Sequence, residues 1–373
     1  LTTGDSNVAV GYLALSSDTQ GDGSVAIGAG ALKTANLTTS QGSLNVAVGF
    51  DAGAAVTGAR ANTLIGYQAG TSLTSGNSNS VLGYTALGSD TLGDRAVAIG
   101  VGALGTQNFT TATDNYNVAI GHNAGTAVTT GQRNTFVGGL SGDGTTTTSD
   151  NTSVGYLALS AASGGTSTGV GSGALQNATG FDNTAMGYNA GSSVTTGDNN
   201  LLLGHDAGIT GSPGGNINNE NNEIVLGDEN ISEAHIQVSF VAASDERDKT
   251  DFVDLDLGLD FIKALEPVTY YWDKRSKYGD KYAEGYDLNA QTPDGTHKED
   301  WMDIGFKAQA VRDLEEAAGY KASDKKNLTV STSEDGKQMG LQYSKFVPIL
   351  VKAIQDQDAI IQSLTARIAA LES

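Results

Sequence analysis

The chain of 373 residues carries 50 glycines, no cysteine and a formal net charge of −21. Without cysteine the fold must hold by packing and hydrogen bonds, since disulfides and thiolate metal sites are excluded. A surface this acidic also repels nucleic acid and anionic lipid, both of which are bound through Lys and Arg. No apolar run reaches the length of a membrane span, so no membrane insertion is expected; no secretory leader is visible either, although the chain opens at Leu1 rather than at a methionine. Composition splits the chain in two. Of the 50 glycines, 42 precede Ser244, and the same stretch holds four basic against seventeen acidic side chains, whereas both tryptophans, Trp272 and Trp301, come after it.

The front part is one repeat. The phrase Asn7-Val8-Ala9-Val10-Gly11 returns as Ser24-Val25-Ala26-Ile27-Gly28 and in thirteen versions overall, anchored at Gly11, Gly28, Gly49, Gly66, Gly83, Gly100, Gly121, Gly138, Gly155, Gly171, Gly187, Gly204 and Gly227, mostly 17 residues apart. Regular columns are what stacked coils require, because each coil covers the one before it. The residue before each glycine is always apolar, from Val10 to Leu226, and reads as a core column. Three residues after the glycine stands Ala in eleven of the first twelve units and Ser141 in the other, so backbones pass closely there. Four residues before it, nine units carry Asn, a side chain able to form a hydrogen-bonded ladder. Each unit therefore predicts a short strand, a tight glycine turn and a second strand of small residues, joined by a polar loop.

Four residues after the glycine, pairs of leucine alternate with pairs of glycine: Leu15, Leu32, Gly53, Gly70, and so on through Leu159, Leu175, Gly191, Gly208. Gly11, Gly83 and Gly155 lie 72 residues apart, which points to a duplicated four-unit cassette. The phrases at 7–11, 24–28 and 117–121 resemble the head repeats of trimeric bacterial adhesins, which implies a β-roll in which three chains pack side by side. Coils of about 17 residues enclose little core, so association is also expected on physical grounds.

Catalysis within the repeats is not expected. Glycosidases need two carboxylates facing each other across a sugar, and acids such as Asp51 and Asp206 show no pairing pattern. The aromatic residues after several glycines (Tyr12, Phe50, Tyr67, Tyr84, Tyr156, Tyr188) suit either a structural stripe or a glycan surface, with the stripe favoured. His122 and His205 share a column but lie 83 residues apart and read as surface substitutions. No metal or cofactor is expected.

Beyond residue 230 the texture changes. Ile236, Val238 and Phe240 alternate like a neck strand, leading to Val241-Ala242-Ala243 and the hexapeptide Ser244-Asp245-Glu246-Arg247-Asp248-Lys249, which by itself reads as a charged loop with a helix cap. A helix is expected from Leu257 to Leu265, stopping at Pro267, then strands at 268–272 and 301–306 around a polar insertion, and a helix at 308–318. Val347, Ile354, Ile361 and Ile368 with Leu350, Gln357, Leu364 and Leu371 form a heptad seam, with Pro348 in the first turn. The organisation expected is a repeat shaft at 1–230, a neck and cleavage linker at 231–243, and a C-terminal domain at 244–373 with a coiled coil at 346–373.

The hexapeptide, with the phrases at 258–272, 303–311 and 342–357, resembles the peptidase S74 family, the intramolecular chaperones of phage tail fibres and tailspikes. Ala310 departs from the acid that family members often carry after the glutamine. The resemblance implies an α+β chaperone that trimerises the chain and then cuts between Ala243 and Ser244, with Ser244 as nucleophile, Lys249 as its base and Arg247 as an assisting cation. It further implies a virion protein, a tail fibre segment assembled in the host cytoplasm as a homotrimer, with a bacterial surface glycan or protein as receptor. The alternatives are a bacterial trimeric surface adhesin, which needs a membrane anchor where this chain ends in a coiled coil, and a polysaccharide-degrading tailspike. An ice-binding solenoid is disfavoured because the loop threonines form no regular column.

Overall fold

A Val/Thr-Ala-Val/Ile triplet followed by glycine favours an extended segment that ends abruptly, and every repeat forms one strand of three residues there. In the computed structural model, which describes residues 4–37, 42–237, 239–324, 326 and 328–372, thirteen such strands run from Val8–Val10 to Ile224–Leu226 and build a single parallel sheet. Neighbours pair residue for residue, as in Val8 with Val25 and Ile27 with Val48, so each coil lies in register on the next. The chain divides into two compact units, Leu1–Asp228 and Glu229–Ser373. The whole is a mostly β solenoid followed by a small α+β unit.

Among the described residues the expected second strand of each repeat is absent. Turns follow the glycine instead, with left-handed backbone two and four residues on, as at Asp51 and Leu32. Small residues occupy this stretch because carbonyls and amides of adjacent coils bond directly across it: Leu32 N–H donates to Ala52 O at 3.1 Å, and Gly53 N–H to Ala69 O at 3.0 Å. A Cβ on Gly66 would lie 2.7 Å from the backbone carbonyl carbon of Gly83, so that column admits glycine alone.

The core column also differs from expectation. Strand residues alternate between faces, and the residue two before each glycine, not the one before it, points inward: from Ala26 to Val225 all of these are buried. The residue before the glycine faces out, with Ile27 40 %, Leu82 48 % and Met186 53 % exposed. The interior of a coil this narrow holds little beyond alanine, which displaces the bulkier aliphatic side chains to the outer surface.

Within that interior large side chains come chiefly from two positions, four after the glycine and two before it, joined by Val56, Leu73, Val128 and Val194 seven after it. Where leucine stands four after the glycine (Leu32, Leu87, Leu104, Leu159, Leu175), it is fully buried with φ near 50°. A left-handed leucine costs about 1–2 kcal/mol, and burial returns about 1.5–3 kcal/mol. Where glycines stand instead, the strand supplies the bulk. Leu64 lies between Gly53 and Gly70, Phe136 between Gly125 and Gly142, and Leu202 between Gly191 and Gly208; added Cβ atoms at Gly53 and Gly191 would come within 2.7 and 2.6 Å of Leu64 and Leu202. The paired leucines and glycines are thus a volume complement. One contact between adjacent coils is polar: Ser141 and Ser153 Oγ atoms meet at 2.5 Å, between an apolar cluster reaching Phe136 and another beginning at Leu159.

The asparagine column forms the ladder expected. Asn62 Oδ1 accepts the Asn79 N–H at 2.8 Å while its amide donates to Gly76 O at 3.0 Å, and the pattern recurs at Asn79, Asn117 and Asn183. Asn117 also donates to Gln107 Oε1 (2.8 Å), whose Nε2 donates to the buried Asp90 carboxylate (2.6 Å). Burial raises the Asp90 carboxyl above its ordinary value, against the lowering effect of Gln107 and of backbone donors at Phe109 and Gly93.

In the second unit, α1 (Leu259–Ala264) ends before Pro267, α2 spans Ala308–Ala317 and α3 spans Phe346–Glu372 with Pro348 in its first turn. Two small antiparallel pairs accompany them: Val268–Tyr270 with Asp303–Gly305, and Val330–Thr332 with Met339–Leu341. Leu257, Phe261, Val311, Val330, Phe346 and Ile349 form the core. Asp356 of α3 accepts the Leu259 N–H at 3.1 Å, capping α1, and buried Glu315 accepts from Thr329 N–H and Oγ at 2.7 and 2.6 Å.

Two outcomes are expected. Phe136→Leu should cost about 1 kcal/mol, because leucine fills the equivalent place at Leu64 and Leu202, and Phe136→Ala about 3–5 kcal/mol, as measured by denaturant unfolding. Asp90 releases its proton less readily in the folded chain than in the unfolded one, so its stabilising contribution is complete below the ordinary aspartate value and disappears as pH rises through the folded one. Asp90→Asn should flatten stability against pH in that acid window, and should lower stability near neutrality, where Gln107 Nε2 would meet an amide.

Candidate functional site

Between Glu229 and Asp245 none of the described residues belongs to a strand; Val238, one of the alternating residues of the expected neck strand, lies outside the described residues. An isolated strand has no partner for its backbone groups, and here Phe240 and Val241 stand 81 % and 95 % exposed. Ala242 and Ala243 are exposed as well, leaving the Ala243–Ser244 peptide open to solvent.

The hexapeptide then makes one tight turn. The Asp245 carboxylate accepts the Arg247 N–H at 2.9 Å and caps a 3₁₀ turn at Glu246–Asp248; Lys249 N–H closes it onto Glu246 O at 3.1 Å. Folding back over five residues brings Lys249 Nζ to 2.6 Å from Ser244 Oγ and 3.3 Å from Ser244 O. The hydroxyl and the amine named from sequence are thus in direct contact. The charged-loop reading and the dyad reading describe the same turn, because the cap is what aims the lysine.

Arg247 is engaged elsewhere. Its Nη2 and Nε donate to the Asp245 carboxylate at 2.6 and 3.0 Å. Hydrogen bonding to Arg247 holds the Asp245 carboxyl below the usual range, and the same contact raises the guanidinium further. Arg247 therefore sustains the cap rather than facing Lys249. A lysine acts as base when burial or a nearby cation destabilises its charged form, and in the isolated chain Ser244 and Lys249 are both exposed.

The aromatic column is a stack. Phe50, Tyr67 and Tyr84 lie parallel at centroid spacings of 5.3 and 5.1 Å, with interplanar angles of 11° and 9°. Both faces of Tyr67 are covered by its neighbours. Sugars bind aromatic faces, and at Tyr67 both are taken up by packing within this ladder.

Two exposed apolar surfaces stand out, one read from sequence as a core column and the other the heptad seam expected there. One is the outward side of the parallel sheet, where the apolar column before each glycine runs the length of the solenoid, none of its thirteen members buried. The other is on α3. Phe346, Ile349 and Ala353 face the core of their own unit, while the heptad residues one position further on stay exposed: Val347 58 %, Ile354 65 %, Ile361 52 %, Ile368 55 % and Leu371 87 %.

Comparison with known families finds that residues 244–320 match Peptidase S74, the chaperone of endosialidase. Neither curated proteins nor solved structures give a match. A domain of this family behind a β-solenoid fits a tail fibre or tailspike with a C-terminal chaperone, and the family's association with trimeric assembly accords with self-association.

Proposed function

We propose that this chain is a phage tail fibre segment for host attachment, that three copies associate along the outward apolar face of the solenoid, and that the C-terminal unit aligns them and then cuts itself free before Ser244. One observation supports assembly above the rest: the apolar residue before each glycine lies outside the coil, in a continuous column that a single chain leaves unburied. An apolar strip of this length marks an interface. The exposed heptad seam of α3 offers the same kind of contact at the C-terminal end.

A registering device follows from the repeat itself. Successive coils present nearly the same columns, so three chains displaced by one coil lose little; a terminal unit that fits in one alignment removes that degeneracy. Detaching it afterwards leaves an assembly held by the slowness of unfolding.

The cut needs a neutral amine on Lys249. That amine takes the Ser244 Oγ proton, Oγ adds to the Ala243 carbonyl carbon, and the C–N bond breaks as the Ser244 nitrogen receives the proton. Water then hydrolyses the resulting ester, releasing an Ala243 carboxylate and the free Ser244 hydroxyl. Exposure of both side chains in one chain suits a reaction that waits for neighbouring copies to bury them.

Denaturing mass spectrometry of the purified protein should show two fragments, 1–243 and 244–373. Ser244→Ala and Lys249→Met should each give one full-length chain with unchanged assembly, and Arg247→Ala should retain partial cutting, since that residue holds the turn and not the proton. A wild-type chain that stays whole in the assembled state refutes self-cleavage. Expression of residues 1–243 alone should yield aggregates; a soluble trimer from that truncation refutes the chaperone role.

A further inference from the structure

The last coils of the solenoid bring together three side chains that the preceding coils do not. His205 follows the anchor Gly204, Asp206 is its neighbour, and Asp228 follows the final anchor Gly227. Their donor atoms all lie within 4.8 Å of one another. His205 Nδ1 is 3.4 Å from an Asp206 oxygen and 3.4 Å from an Asp228 oxygen. We propose that these residues form a binding site for a divalent cation of the zinc class, which fastens the final coil to the one before it.

The spacing carries the inference. A well-formed N–H···O bond spans about 2.7–3.2 Å, so 3.4 Å is long for two simultaneous bonds from one nitrogen. It matches the separation of neighbouring donors around a tetrahedral zinc, which for bonds of about 2.0–2.1 Å comes to about 3.3–3.4 Å. Burial points the same way. The Asp206 and Asp228 side chains are 0 % and 5 % exposed, which places two oxygen donors in a low-dielectric setting beside the imidazole.

The donors are also held in place. Asp206 N–H donates to Tyr188 O at 2.9 Å, and the His205 ring stacks on Tyr188 at 5.4 Å and 18°. The imidazole is half open to solvent, which leaves room for water as a further ligand. One nitrogen and two oxygens favour zinc over calcium, which takes six to eight oxygens. The same pair of carboxylates does not serve sugar cleavage, because burial closes the space between them to a saccharide. An internal comparison exists in His122, which occupies the same column with Asn123 beside it and Gly139 in the next coil, and so has no carboxylate partner in these columns.

Titration calorimetry of the untagged full-length protein, freed of metal with a chelator, should show one equivalent of ZnCl₂ per chain. His205→Ala and Asp228→Asn should each weaken that binding by roughly tenfold or more, and His122→Ala should leave it unchanged. Co²⁺ in place of Zn²⁺ should give the visible absorption of a tetrahedral ion, lost in the same two variants. Absence of stoichiometric binding, retention of it in both variants, or equal loss in His122→Ala would overturn the site. The result is independent of whether the chain assembles or cuts itself as proposed above.

Discussion

The width of one coil governs this molecule. Strands of three residues stacked in register, with glycine backbones touching between layers, leave a narrow interior filled by alanine and a few larger side chains. Close packing limits what else can enter. The consequence is that the apolar residue before each glycine is turned outward, while its inward neighbour on the same strand is most often alanine. Coils this narrow bury little in proportion to their surface, and successive coils present nearly the same columns. The proposed association and the proposed guide therefore have one origin.

The terminal unit is built differently from the solenoid. Its core is local and varied, drawn from three helices and two strand pairs, and it presents a seam on α3 one residue round from the face that packs at home. The same helix thus belongs to its own fold and stays available to another chain. Upstream of it, a turn of six residues stores a hydroxyl and an amine in contact next to an exposed peptide. Chemistry at that point does not depend on the distant architecture except through what covers it.

Much of this was legible in the residues, and the failures have physical causes. Periodicity gave the solenoid, the asparagine column gave its ladder, and Pro267 and Pro348 marked helix ends correctly. The core column was misassigned because bulk and apolarity ordinarily mean inside, a rule that fails when the enclosed space is narrower than the side chains. The second strand was misread because small residues suit both strands and left-handed turns, and only the stacking of backbones distinguishes them. Ser244 and Lys249 were found through family likeness, and their contact follows from a turn that Asp245 caps. His205 and Asp228 went unpaired because coils 23 residues apart in sequence become neighbours only once the chain is wound.

One interior differs from the others. Ser141 and Ser153 meet through their hydroxyls between the coils that bury Phe136 and Leu159, and the buried apolar clusters on either side do not run into each other. In an array whose strength is the sum of contacts between adjacent layers, cooperativity is only as long as the weakest of them allows. A rod of this design pulled along its axis would part at that layer first, yielding as two segments rather than one.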